Sequence, residues 1–156
     1  MSVAFRRESD EEHLEPTFEI PIPPGPNWVT ARGLRLTRQK VEALEAVDAA
    51  AMSEEDAKKH KRELRYWRTR LATAESRPVA DGEAVSFGVR VTYRLNGQTK
   101  TVAIVGDDEA DPNDNRISFS SPLARAMMDA EPGEQLDFGG KADAVEILSI
   151  EPIDEE

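Results

Sequence analysis

The chain contains no cysteine and only two histidines, His13 and His60. That excludes disulfides and cysteine-ligated zinc, and leaves almost no imidazole for general-base work. No apolar run approaches the roughly 20 residues of a membrane span. Arg6-Arg7 has the look of a twin-arginine signal, but Glu8-Ser9-Asp10-Glu11-Glu12 follows where an apolar segment would be needed. Aromatics are sparse at 6% of the 156 residues, and hydrophobic residues reach 38% against 33% charged, a lean supply for one globule. A cytoplasmic protein with no membrane contact is the expectation, with part of the chain extended or all surface.

What is abundant is acid, and it is unevenly placed. The net charge is -11. Residues 30–77 carry 12 Lys/Arg and 8 Asp/Glu, residues 1–29 carry 2 and 6, and residues 78–156 carry 6 and 17. A basic middle between acidic ends argues against stable duplex DNA binding, because the ends would repel phosphate. It suits a protein whose middle enters a different electrostatic environment from its end.

Three segments follow. Residues 1–26 are acidic and then proline-rich, ending in Glu19-Ile20-Pro21-Ile22-Pro23-Pro24-Gly25-Pro26, and read as an extended or disordered extension. Residues 27–77 read as a helical hairpin. Thr30 suits the first N-cap, and Leu34, Thr37, Val41, Leu44, Asp48 and Ala51 follow the 3-4 spacing of a coiled-coil seam. Ser53, followed by Glu54, Glu55 and Asp56, signals a second helix start. Ala57, His60, Leu64, Trp67, Leu71 and Ala74 repeat the seam, and Pro78 ends it. Two short antiparallel arms of about 22 residues, roughly 33 Å each, are expected. Residues 78–83 read as a linker.

Residues 84–152 read as an antiparallel sheet with one short helix, before an acidic tail at 153–156. Val85, Phe87, Val89, Val91 and Tyr93 alternate, Asn96-Gly97 is a hairpin turn, and Thr99 to Val105 returns. In Arg116 to Met128 an alternating strand runs into Ser121-Pro122, a serine N-cap and a proline at the first helical position. Leu123, Ala126 and Met127 have the spacing to pack on the sheet. The fold class is therefore α+β.

Candidate chemistry is thin. Ser118, Ser120 and Ser121 have no histidine or cysteine within 78–156 to activate them. The acidic run Asp107 to Asp114 fails the calcium-loop template, with Pro112 at the glycine position and Ser118 where a bidentate Glu belongs, so no metal site is assigned. Lys58, Lys59, Lys61, Arg62 and Arg65 form a basic cluster that reads either as a solvated helix face or as a patch facing RNA.

The stretches "VSFGVRVTY", "IVGDDEADPNDNRISFSSPLARAMM" and "PGEQLDF", with "NWVTARGL" before the first helix, resemble the bacterial Gre-type transcription elongation factors of the GreA/GreB family. The resemblance covers Asn27 to Ile150 and is densest over 84–150. It implies an FKBP-like sheet domain that docks on the rim of the secondary channel of bacterial RNA polymerase, and a coiled coil that enters the channel towards the RNA 3′ end. It implies docking through Ser120, Ser121 and Pro122 together with Asp107, Asp108 and Glu109. In the family, acidic residues at the hairpin tip help hold a catalytic Mg²⁺ of the polymerase, so that the polymerase cuts backtracked RNA. Here the tip offers Glu54, Glu55 and Asp56 instead of a Gly-Asp-x-x-Glu-Asn-type motif, on arms shorter by about ten residues each, roughly 15 Å of reach. The expectation is a monomeric polymerase-binding factor that is not itself an enzyme, binds no cofactor stably and stimulates cleavage weakly or not at all. The alternatives are a docking regulator of another cytoplasmic protein and, from the implied fold, an FKBP-like prolyl isomerase.

Overall fold

The computed structural model describes residues 19–153. The expectations for residues 1–18 and 154–156 lie outside them. The chain falls into two compact units. Among the described residues one holds residues 19–24 and 37–73, and the other holds residues 25–36 and 74–153. The residues expected to open the hairpin, 27–36, thus belong with the sheet.

In the first unit, helix α1 (Ala31–Glu45) continues from the sheet unit and helix α2 (Glu54–Thr73) returns. His60 Nε2 lies 2.7 Å from the Leu44 carbonyl oxygen, Arg68 pairs with Glu45, and the Lys40 ammonium sits 6.0 Å from the Trp67 ring centroid. From His60 beside Leu44 to Trp67 beside Lys40, later residues of α2 meet earlier residues of α1, so the helices run antiparallel. Thr37, Val41 and Leu44 are buried as the spacing predicts, and Ala57, His60, Leu64, Trp67 and Leu71 are half-buried.

The arms are shorter than expected, at 15 and 20 residues. Asp48 and Ala51 are not on the seam. Asp48 Oδ1 instead accepts from the Ala50 N–H at 3.0 Å and caps a 3-10 turn at Ala49–Ala51. Nor does Pro78 end α2. The helix stops at Thr73, because Glu75–Ser76 (β2) leaves it to pair in parallel with Trp28–Val29 (β1), Trp28 opposite Glu75.

The second unit is built on a five-stranded sheet. Its strands are β3 (Val89–Leu95), β4 (Gln98–Val105), β5 (Arg116–Ser118), β6 (Gln135–Phe138) and β7 (Lys141–Pro152), in the order β5-β4-β3-β7-β6. The β3–β4 hairpin turns at Asn96 and Gly97, both at positive φ (52° and 77°), as an Asn-Gly pair favours. The expected all-antiparallel sheet is corrected to a mixed one, since β5 runs parallel to β4 with Ala103 opposite Arg116 and Val105 opposite Ser118. Between them the chain turns twice, at Asp107–Glu109 and Pro112–Asp114, and Asn115 takes a left-handed φ of 53°. Those turns carry the chain back to the level of Ala103 before it starts β5.

Alternate residues of three strands line one face: Val89, Val91 and Tyr93, then Val102 and Ile104, then Val145 and Ile147. Helix α3 (Pro122–Met127) covers them, with Ala124 and Met127 fully buried. Ala124 thus takes the place expected for Ala126, three residues before Met127 on the same side of the helix. The supposed linker is not free of the core either, since Ala80 packs against it, and Ile153, expected in the tail, donates its N–H to the Gly88 carbonyl at 2.9 Å.

Candidate functional site

The end of β4 and the corner after β5 meet. The Phe119 N–H donates to the Val105 carbonyl at 2.9 Å, which sets residues 118–121 beside the turn that follows Gly106. The corner is a tight turn rather than a direct junction, closed by the Ser121 N–H on the Ser118 carbonyl at 3.0 Å. Ser121 Oγ then accepts from the Ala124 N–H at 3.3 Å and caps α3, with Pro122 at the first helical position.

Asp107 ties the two segments together. Ser118 Oγ donates to Asp107 Oδ1 at 2.5 Å and Ser120 Oγ donates to the same oxygen at 2.9 Å. Ser118 Oγ also accepts from the Ser120 N–H at 3.1 Å. Hydrogen bonds to an ionised acceptor are stronger than neutral ones, so the corner is fixed by two of them. Four of the six residues assigned to docking, Asp107, Ser120, Ser121 and Pro122, form this one construction. Asp108 is half-buried in the same turn, and Pro122 is exposed.

Glu109 departs from the expectation. Its carboxylate turns inward, with a side chain only 3% exposed. It accepts from Thr30 Oγ1 at 2.6 Å and from Arg32 Nη1 at 3.0 Å, and Arg116 Nη1 lies 3.6 Å away. Arg116 Nε in turn donates to Asp114 Oδ2 at 2.7 Å, which holds the Asp114 carboxyl below its ordinary range. Thr30 also accepts from the Gly33 N–H at 2.9 Å, the expected cap of α1. Glu109 therefore fastens the first turn of α1 to the sheet unit and presents no charge outward.

An aromatic cluster stands beside the corner, and sequence reasoning missed it. Trp28 stacks on Phe119 with centroids 4.6 Å apart and meets Phe87 edge-on at 5.8 Å, while Phe87 and Phe119 meet edge-on at 5.6 Å. The Arg77 guanidinium lies 4.6 Å from the Trp28 centroid. The available signal was a lone tryptophan between Pro26 and the first helix, since such a ring is rarely left unpacked. The cluster takes up Phe87 and Phe119, while Tyr93 is buried and Phe138 packs on the core.

The hairpin residues are placed as follows. Glu54, Glu55 and Asp56 are exposed in the first turn of α2, where Ser53 Oγ accepts from the Asp56 N–H at 3.1 Å. Among the described residues no group of three His, Asp or Glu could hold a metal ion, and successive residues of a helix project about 100° apart. Glu54, Glu55 and Asp56 therefore project in different directions. By the same spacing Lys58, Lys61, Arg62 and Arg65 share one stripe of α2, and Lys59 points about 100° away from Lys58. Among the described residues no helix is long and apolar enough to cross a membrane.

Comparison with known proteins gives these features a context. The family model "Transcription elongation factor, GreA/GreB, C-term" matches residues 80–152. Transcription elongation factor GreA of Sinorhizobium medicae is 40% identical over 74 residues, 45% of this chain and 47% of that protein. GreA of Agrobacterium fabrum is 39% identical over 74 residues, with the same shares. The chain spans about half the length of the curated relatives it matches. Among solved structures, GreA factor homolog 1 of Thermus thermophilus aligns at 17% identity and a TM-score of 0.37, covering 81% of this chain and 99% of that one. A GreA/GreB factor from Nitrosomonas europaea aligns at 16% identity and 0.39, covering 81% and 98%. The match to the GreA/GreB C-terminal model, residues 80–152, spans the stretch that carries the Asp107–Ser120 construction.

Proposed function

We propose that this chain is a Gre-like transcription elongation factor that binds bacterial RNA polymerase at its secondary channel and modulates elongating or backtracked complexes. The observation that carries the reading is the fixed corner, in which Ser118 and Ser120 both donate to Asp107 within the segment that matches the GreA/GreB C-terminal domain. A corner already locked by its own hydrogen bonds presents a docking surface without the ordering cost a free loop would incur on binding. Asp107, Asp108, Ser120, Ser121 and Pro122 are the residues assigned to docking, and Glu109 supports them from inside.

Under this reading the hairpin occupies the channel and modulates rather than catalyses. The tip acids are consecutive in the opening turn of α2, so no residue of this chain is assigned to a Mg²⁺ ion, and any such ion belongs to the polymerase. Cleavage stimulation is accordingly weak or absent. The protein works as a monomer in the cytoplasm, where its partner is, and the Lys58–Arg65 stripe faces the RNA 3′ end.

The test is RNA cleavage and nucleotide addition in a stalled, backtracked elongation complex, with and without the protein. Slowed addition without cleavage supports the reading. Strong cleavage lost in a Glu54→Ala, Glu55→Ala, Asp56→Ala variant that still binds would overturn the modulator assignment.

A further inference from the structure

The extension places one acid on the hairpin. Arg65 Nε donates to Glu19 Oε1 at 3.0 Å and Arg65 Nη2 donates to Glu19 Oε2, a fork-to-fork pair between residues 46 apart in sequence. Arg65 belongs to the stripe that Lys58, Lys61 and Arg62 share. The hydrogen bond from Arg65 holds the Glu19 carboxyl below its ordinary range, helped by the charges of Arg65 and Arg62. Four prolines follow at 21, 23, 24 and 26. Each fixes φ, so the segment behind Glu19 has little freedom left to lose when it lies down.

We propose that Glu19 and the proline-rich segment behind it form an intramolecular strap over the cationic stripe of α2, so that an oligoanionic phosphate ligand must displace the strap to bind there. The guanidinium fork accepts carboxylate and phosphate by the same bidentate geometry, which makes Glu19 a stand-in for a phosphate group. The two side chains are 55% and 46% exposed, so the pair is screened by water and readily exchanged. Such a strap attenuates binding and does not abolish it. The inference does not depend on the polymerase reading, because it needs only the stripe and the acid seated on it.

The test uses the full chain and a fluorescent 15-nucleotide oligouridylate, titrated at low ionic strength and followed by anisotropy. Glu19→Gln should tighten binding about threefold, in the range set by an exposed ion pair. Arg65→Gln should weaken binding, and in that background Glu19→Gln should have no further effect. Glu42→Gln, which removes an exposed acid elsewhere on the hairpin, controls for net charge, and thermal melting confirms that each variant folds. The proposal is overturned if Glu19→Gln acts no more strongly than Glu42→Gln, if its effect survives Arg65→Gln, or if the oligonucleotide binds none of the proteins.

Discussion

Ser120 Oγ donates to Asp107 Oδ1 at 2.9 Å across 13 residues of sequence. Ser118 donates to the same oxygen, so one carboxylate satisfies two half-buried hydroxyls. Asp107→Ala should leave both without their acceptor and cost about 1 to 2 kcal/mol in urea denaturation. Asp107→Asn, which keeps a side-chain carbonyl, should recover part of that loss. Equal stability of the Ala variant and the parent would show that the corner does not depend on this pair.

Glu109 holds two arginines from separate segments, Arg32 and Arg116, and Arg116 is itself only 8% exposed at its side chain. Removing the carboxylate takes from a buried guanidinium one of its two carboxylate neighbours, Asp114 being the other, and removes the acceptor of Thr30 and Arg32. Glu109→Ala should therefore destabilise the sheet unit by about 3 kcal/mol. The fluorescence of Trp28 in a Trp67→Phe background reports on that unit alone. A loss below about 0.5 kcal/mol, the range of an ordinary surface substitution, would refute the fastening role.

Gly106 lies against the backbone of β1. A Cβ placed there would stand 2.3 Å from the Trp28 carbonyl oxygen, and the neighbour is main chain that cannot rotate away. Gly106→Ala should push β1 off the end of β4 at a cost of about 2 kcal/mol or more. It should also shift Trp28 emission to the red as the ring leaves Phe119. An unchanged emission maximum would mean that the approach is looser than the geometry states.

Much of this local structure is written in the sequence. Ser121 and Pro122 start α3, Ser53 starts α2, Thr30 caps α1, and Asn96-Gly97 turns the first hairpin, because each acts through its own neighbours. What the sequence does not display is long-range. Alternation tells which face of a strand is apolar but not which way its neighbour runs, so the parallel β4–β5 pair is invisible until the turns at Asp107 and Pro112 are seen. The end of α1 is hidden because Val47 and Ala51 prolong the apolar spacing while Asp48 caps a different turn. Glu109 looks like one more member of an acidic run. Thr30 and Arg32, 79 and 77 residues away, turn it inward, with Arg116 of the following strand beside them.

Tyr93 is buried in the sheet core, and burial raises its phenol above the ordinary value of 10.0. A group whose folded pKa is raised adds stability that is fully present below the unfolded pKa and lost as pH climbs towards the folded one. The fold should therefore be insensitive to Tyr93 through neutral pH and weaken above about pH 10. Phenolate absorbance against pH should show Tyr93 ionising later than free tyrosine, and Tyr93→Phe should flatten the alkaline loss of stability. A midpoint at or below that of free tyrosine would contradict its burial.

The central claim is that this chain binds bacterial RNA polymerase through the corner that Asp107 locks. The most direct measurement is equilibrium binding of the full chain to polymerase core enzyme, comparing the parent with Ser120→Arg and Pro122→Ala, after circular dichroism has shown that both variants fold. The account predicts saturable binding by the parent, a loss of roughly tenfold or more for Ser120→Arg, as expected for a charge forced into the centre of an interface, and a smaller loss for Pro122→Ala. No binding by the parent, or equal binding by parent and Ser120→Arg, would contradict it.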